Sequence, residues 1–136
     1  MTGDQSSFEG GCLCGAVRYR ASAPPVRGVL CHCTMCRKHS GAPALAFVHF
    51  PVESFEWVGA VPERYRSSRY AERGFCPDCG SRLWHQPDGP SQTLTVKAGS
   101  LDDPIDLADA IHIWTTRKLP GVIIPDDAEQ WPEEPG

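Results

Sequence analysis

No stretch of this 136-residue chain approaches the roughly 18 consecutive apolar residues of a membrane-spanning helix, so no membrane role is expected. Nor is there a basic stripe interleaved with aromatics. With a formal net charge of −4, the chain does not look like a nucleic-acid binder. Long helical periodicity is absent, and so are internal repeats beyond pairs of cysteines. The opening stretch MTGDQSSFEGGCLCG has no basic region followed by an apolar one, the mark of a secretory leader. The expected compartment is therefore the reducing cytoplasm, where thiols stay reduced. What is present is 40% apolar residues in a length suited to one domain with a hydrophobic core.

Cysteine is the exception to this plainness. The 7 cysteines fall into Cys12-x-Cys14, Cys31-x-Cys33-x-x-Cys36 and Cys76-x-x-Cys79. Free cysteines that only pack are normally scattered singly through a core. An odd total also argues against a closed disulfide framework. Metal explains the grouping better: thiolates hold zinc in closed sets of four or in open sets of three.

Short segments rich in branched and aromatic residues, punctuated by Pro and Gly, predict a mainly-β protein. The expected strands are Ala16–Ala21, Val26–Leu30, Leu45–Phe50, Phe55–Val58, Arg64–Ser67, Arg73–Phe75, Arg82–Gln86, Thr93–Lys97 and Ile111–Trp114. In Thr93–Lys97, Leu94 and Val96 alternate with Thr93, Thr95 and Lys97. One short helix is expected over Thr34–Ser40, and a turn over Asp102–Pro104. Arg64, Arg66, Arg69 and Arg73, flanked by Glu63 and Glu72, read as a solvated strand face. Residues 1–124 are expected to form one domain. Residues 125–136, acidic and proline-containing, read as a mobile tail in which only Trp131 can dock.

Cys76-Pro-Asp-Cys79-Gly80 has the form of a zinc knuckle, with Gly80 where a left-handed backbone is often needed. In an extended segment, Cys12 and Cys14 would lie on one face. Together the four make a closed, structural site stapling the N-terminal segment to a distant hairpin. The rival reading is a thioredoxin-like dithiol at Cys76 and Cys79. It needs a helix after the motif, whereas Ser81–Gln86 reads as a strand.

The remaining three thiols, Cys31, Cys33 and Cys36, make a set with an open position, the arrangement of a catalytic zinc. Three thiolates leave the centre formally negative, better suited to holding a thiol than to making hydroxide. This second ion should be the more labile of two per chain. His32 is a candidate fourth ligand, but alternation turns it away from Cys31 and Cys33. Arg37, Lys38 and His39 are candidates for binding an anionic substrate, with a solvated helix face as the alternative. His49, His85 and His112 sit in expected strands and read as structural.

GGCLCGAVRY, CHCTMCRKHSG, GFCPDCGSRLW, AGSLDDP and HIWTTRKLPG occur in this order. Together they resemble the glutathione-dependent formaldehyde-activating enzyme family, whose relatives include the domain of centromere protein V. The resemblance spans about Glu9 to Val122 and implies a β-tent fold of small antiparallel sheets. It implies a structural zinc at Cys12, Cys14, Cys76 and Cys79 and a catalytic zinc at Cys31, Cys33 and Cys36. The implied activity is that of a carbon–sulfur lyase on thiol–aldehyde adducts such as S-hydroxymethylglutathione, with glutathione as the small-molecule thiol partner. Two alternatives stand beside it: a non-catalytic zinc-binding interaction module, and a thiol redox sensor that releases zinc on oxidation.

Overall fold

The structure is a computed structural model and describes residues 7–135. Residues 1–6 of the stretch read for a leader, and Gly136 of the expected tail, lie outside the described residues. The elements in chain order are β1 (Phe8–Gly11), β2 (Arg18–Ala21), β3 (Arg27–Cys31), α1 (Thr34–Ser40), β4 (Leu45–Pro51), β5 (Phe55–Trp57), β6 (Glu63–Ser68), β7 (Ala71–Phe75), β8 (Arg82–Pro87), β9 (Thr93–Lys97) and β10 (Ile111–Ile113). The mainly-β class with one short helix is therefore observed. The chain divides into two compact units: Met1–Val26 with Val48–Ile105, and Arg27–Phe47 with Asp106–Gly136.

In the first unit β1, β2 and β5 form an antiparallel sheet, with Glu9 opposite Arg20 and Arg20 opposite Glu56. Aromatic packing holds it. Tyr19, 1% exposed, stacks on Phe55 at 5.2 Å and meets the edge of Trp57 at 5.9 Å. β1 is the strand the sequence pattern does not announce, because half of it is glycine. Gly10 is required by packing: a Cβ there would collide with the Tyr19 hydroxyl.

The division falls within β4, between Phe47 and Val48, and on the first unit's side the strand order is β4-β9-β8-β7-β6. Arg64 and Arg66 lie on edge strand β6 and pair with Glu72 at 3.6 and 3.5 Å, as a solvated face should. Arg73 departs from that expectation, being only 3% exposed. The alternation in β9 also fails in part: Thr95 and Lys97 are buried along with Val96. The Thr95 hydroxyl meets His49 Nδ1 at 2.9 Å, which places a hydrogen bond where the pattern predicts solvent.

In the second unit the order is β10-β3-β4, and β10 runs parallel to β3, with Ile113 opposite Cys31. Val29, Cys31, Cys36, Leu45, Phe47 and Ile111 form the buried cluster. Helix α1 begins where Cys33, in extended conformation, caps it, and ends at Gly41, whose φ of 74° is left-handed.

The acidic segment read as a tail is paired along β10 in the structure. Gln130 bridges to His112 in parallel, the His112 N–H donates to the Glu129 carbonyl at 2.9 Å, and the Trp131 N–H donates to the His112 carbonyl at 2.8 Å. Trp131 packs against the buried cluster. Composition suggested a solvated chain, but an open strand edge and a large indole provide a site for it.

Candidate metal centres

The four-cysteine group lies wholly in the first unit. One Sγ from each of Cys12, Cys14, Cys76 and Cys79 lies within 4.8 Å of all the others. Cys12 and Cys14 are in a turn after β1, not the extended segment expected from their spacing. The turn is closed by the Gly15 N–H on the Cys12 carbonyl at 3.2 Å, and it brings the two sulfurs to 3.6 Å. Across from it, the Gly80 N–H donates to the Cys76 carbonyl at 2.8 Å, with Gly80 at φ 80°. That is the knuckle geometry, and no helix follows it, so the thioredoxin-like reading has no structural basis.

Ser81 joins the two turns. Its hydroxyl accepts the Leu13 N–H at 2.9 Å and lies 3.2 Å from Cys79 Sγ. Hydrogen bonding by Ser81, through its hydroxyl and its backbone, pulls the Cys79 thiol down to about 5. The Val17 N–H points at Cys12 Sγ at 3.2 Å. Sulfurs approached by donors are set up to be thiolates.

The three-cysteine group lies wholly in the second unit, with Cys31, Cys33 and Cys36 sulfurs again within 4.8 Å of one another. β3 delivers Cys31 and the first turn of α1 delivers Cys36. Cys33 sits between them as the cap, and its Sγ accepts the Cys36 N–H at 3.3 Å. Cys31 and Cys36 are buried, while Cys33 is half-buried. Hydrogen bonds from Cys31 and Cys36 push the Cys33 thiol down to about 2, and the same contacts push Cys31 up. The sulfur with the lowered value is also the least buried of the three. A dication fits this donor set because it replaces the shared protons.

His32 is not a member of the sulfur group. It is 1% exposed, and its Nε2 meets His112 Nδ1 at 3.0 Å, with the rings stacked at 5.3 Å. Burial lowers the pKa of both rings, and His112 and Lys118 lower that of His32 further. Both shifts favour the neutral rings, one of which can then donate to the other. Alternation along β3 predicts this turn away from the sulfurs. Arg37, Lys38 and His39 occupy the last turn of α1, where positive charge complements the helix dipole. Arg37 reaches back toward the Cys33 cap, its Nη2 donating to Thr34 Oγ1 at 3.4 Å, while Lys38 and His39 lie nearer the Gly41 end. Sequence patterns did not single out Trp114 as part of this surroundings. It follows β10 and packs on the cluster that contains Cys31 and Cys36.

Comparison with known proteins matches residues 7–117 to the family described as glutathione-dependent formaldehyde-activating enzyme. An uncharacterized lyase of Schizosaccharomyces pombe is 39% identical over 80 residues, which cover 57% of this chain and 56% of that protein. A Halomonas elongata protein, whose name likewise describes a glutathione-dependent formaldehyde-activating enzyme, is 33% identical over 85 residues, covering 57% and 54%. The chain thus spans a little over half the length of the curated relatives it matches. A crystal structure of a Rhodobacter sphaeroides protein superposes with a TM-score of 0.56 at 21% identity, covering 90% of this chain and 98% of that one, a likeness of fold.

Proposed function

This chain belongs to the glutathione-dependent formaldehyde-activating enzyme family, and from that premise we propose that it is a zinc-dependent carbon–sulfur lyase acting on thiol–aldehyde adducts such as S-hydroxymethylglutathione. The observation that carries the proposal is the group Cys31, Cys33 and Cys36: three sulfurs within 4.8 Å and, among the described residues, no fourth His, Cys, Asp or Glu in the group. A four-ligand set would be closed, whereas a three-ligand set leaves room for a substrate.

Under this reading Cys12, Cys14, Cys76 and Cys79 hold a structural zinc, and Cys31, Cys33 and Cys36 hold a second. Bound there, zinc would favour the thiolate form of a substrate sulfur and draw an aldehyde oxygen beside it. The chain's own part is to place and shield. Cys31 and Cys36 anchor the site from within the buried cluster, and Cys33 presents its outer side. Arg37, Lys38 and His39 would meet the carboxylates of a glutathione-like substrate. In the condensing direction the thiol S–H and the aldehyde C=O become an S–C bond and a C–O–H group. The proton moves from sulfur to oxygen, with no change in oxidation state. The lyase direction reverses each of these.

The test is metal analysis followed by titration. Protein holding two zinc ions should bind glutathione, with NMR shifts centred on residues 31–36 and lost in Cys36→Ser. No binding at millimolar glutathione in doubly loaded protein would sink the glutathione reading. Binding that survives unchanged in Cys36→Ser would place the ligand elsewhere.

A further inference from the structure

The family match stops at residue 117, yet the surroundings of the three-cysteine group do not. Cys33, Ile113, Trp114 and Trp131 are the partly buried groups packed on the cluster that holds Cys31 and Cys36. Two of these four are indoles, and one of them comes from the segment beyond the match.

Trp114 is held under strain. Among the described residues it is the one non-glycine with positive φ, at φ 57° and ψ 42°. A bulky aromatic rarely adopts that conformation, and it persists only where its surroundings over-determine it. Here they do. The Trp114 N–H donates to the Glu133 carbonyl at 3.3 Å, and the Thr115 N–H to the Trp131 carbonyl at 3.2 Å. The Arg117 N–H closes the turn on the Trp114 carbonyl at 3.0 Å. The C-terminal segment therefore holds Trp114 in place as well as supplying Trp131. Trp131 is itself oriented, since its Nε1–H donates to Glu129 Oε2 at 2.7 Å. That bond engages the indole's polar edge and leaves apolar ring surface for the cluster side.

We propose that Trp114 and Trp131 form an apolar wall of the three-cysteine site, and that the C-terminal segment thereby selects neutral, compact groups over anionic ones next to Cys33. The proposal rests on the thiol–aldehyde reading in one respect: the selected group is then the uncharged carbon end of the adduct. Charged ends must lie elsewhere, because an indole face offers no partner to a carboxylate and its quadrupole repels one.

The test uses the metal-loaded full chain and two small thiols of similar size, neutral 2-mercaptoethanol and anionic thioglycolate. The unaltered chain should prefer the neutral thiol. Trp131→Ala should lower that preference about fivefold, and Trp131→Phe should restore most of it. Because the Ala variant leaves every charge in place, an unchanged preference in it overturns the wall. A second measurement does not depend on thiol binding: the rates at which iodoacetamide and iodoacetate alkylate Cys33, read by peptide mapping. Their ratio should exceed that for free glutathione and should fall in Trp131→Ala. If neither thiol binds but the alkylation ratio behaves this way, the functional reading fails and the wall stands. If the ratio in the unaltered chain equals that of free glutathione, the wall falls, and this holds even if the variants do not fold.

Discussion

Cys33 Sγ accepts the N–H of Cys36 at 3.3 Å, so one sulfur is at once a member of the candidate metal group and the cap of the helix that carries another member. The two roles can be separated. Serine preserves a capping oxygen and alanine does not, while both remove the third sulfur. With the second metal lost in each, Cys33→Ser should be more stable than Cys33→Ala by about 0.5–2 kcal/mol. Urea midpoints measure it, and equal midpoints would mean that the cap contributes nothing.

The two sulfur groups should release metal at different rates. Three protein ligands hold an ion less firmly than four, so a mild chelator should extract a fast fraction and then a slow one. Cys33→Ser should abolish the fast fraction. Loss of the slow fraction instead would reverse the roles assigned to the two groups.

Opening the four-cysteine group should be far more damaging. Structural zinc sites contribute on the order of 10–16 kcal/mol of apparent binding energy, more than a domain of this size has to spare. Cys79→Ser should therefore leave the first unit unfolded or the protein insoluble. A milder variant reports on the same turn: Gly80→Ala, at φ 80°, should cost about 1 kcal/mol with metal retained. A soluble Cys79→Ser protein with an unaltered melting curve would remove the structural role.

Acid should weaken one cross-link of the first unit that involves no cysteine. Arg18 donates to Asp102 through both terminal nitrogens, at 3.0 and 2.5 Å, and this hydrogen bonding holds the Asp102 carboxyl below its ordinary value of 3.8. The folded value is the lower one, so the stabilisation is present above the unfolded value and disappears as pH falls through the folded one. Since the pair is well exposed, screening limits it to about 1 kcal/mol or less. Asp102→Asn should lower the melting temperature slightly at pH 7, and the gap from the unaltered chain should close below pH 4. A gap constant across that range would rule the ion pair out as its cause.

Local chemistry was the legible part of this protein. The short helix expected over Thr34–Ser40 is present with those bounds, capped by Cys33 and ended at Gly41. The turn of His32 away from the sulfurs follows from strand alternation alone. Distant pairing was not legible. The parallel match of β10 to β3 depends on a crossover with no local signature. β1 hides behind Gly10 and Gly11, whose value lies in what packs against them rather than in strand propensity. The acidic segment reads as solvated by composition, yet its backbone pairs with a strand edge and its one indole packs on a buried cluster. Charge counts do not register either contact.

The parallel pairing of β10 with β3 sets an order of events during synthesis. His32 and His112, hydrogen-bonded in the finished protein, are 80 residues apart in the chain. Cys31, Cys33 and Cys36 leave the ribosome together and early, long before Ile113, the strand partner of Cys31, has been made. Ile111, Trp114 and Trp131, which complete the packing around them, emerge only after nearly all of the first unit has been made. For that interval three adjacent thiols are exposed to the oxidants and metals of the nascent chain's surroundings. An ion bound in that interval would be in place before Ile111, Trp114 and Trp131 pack around its ligands.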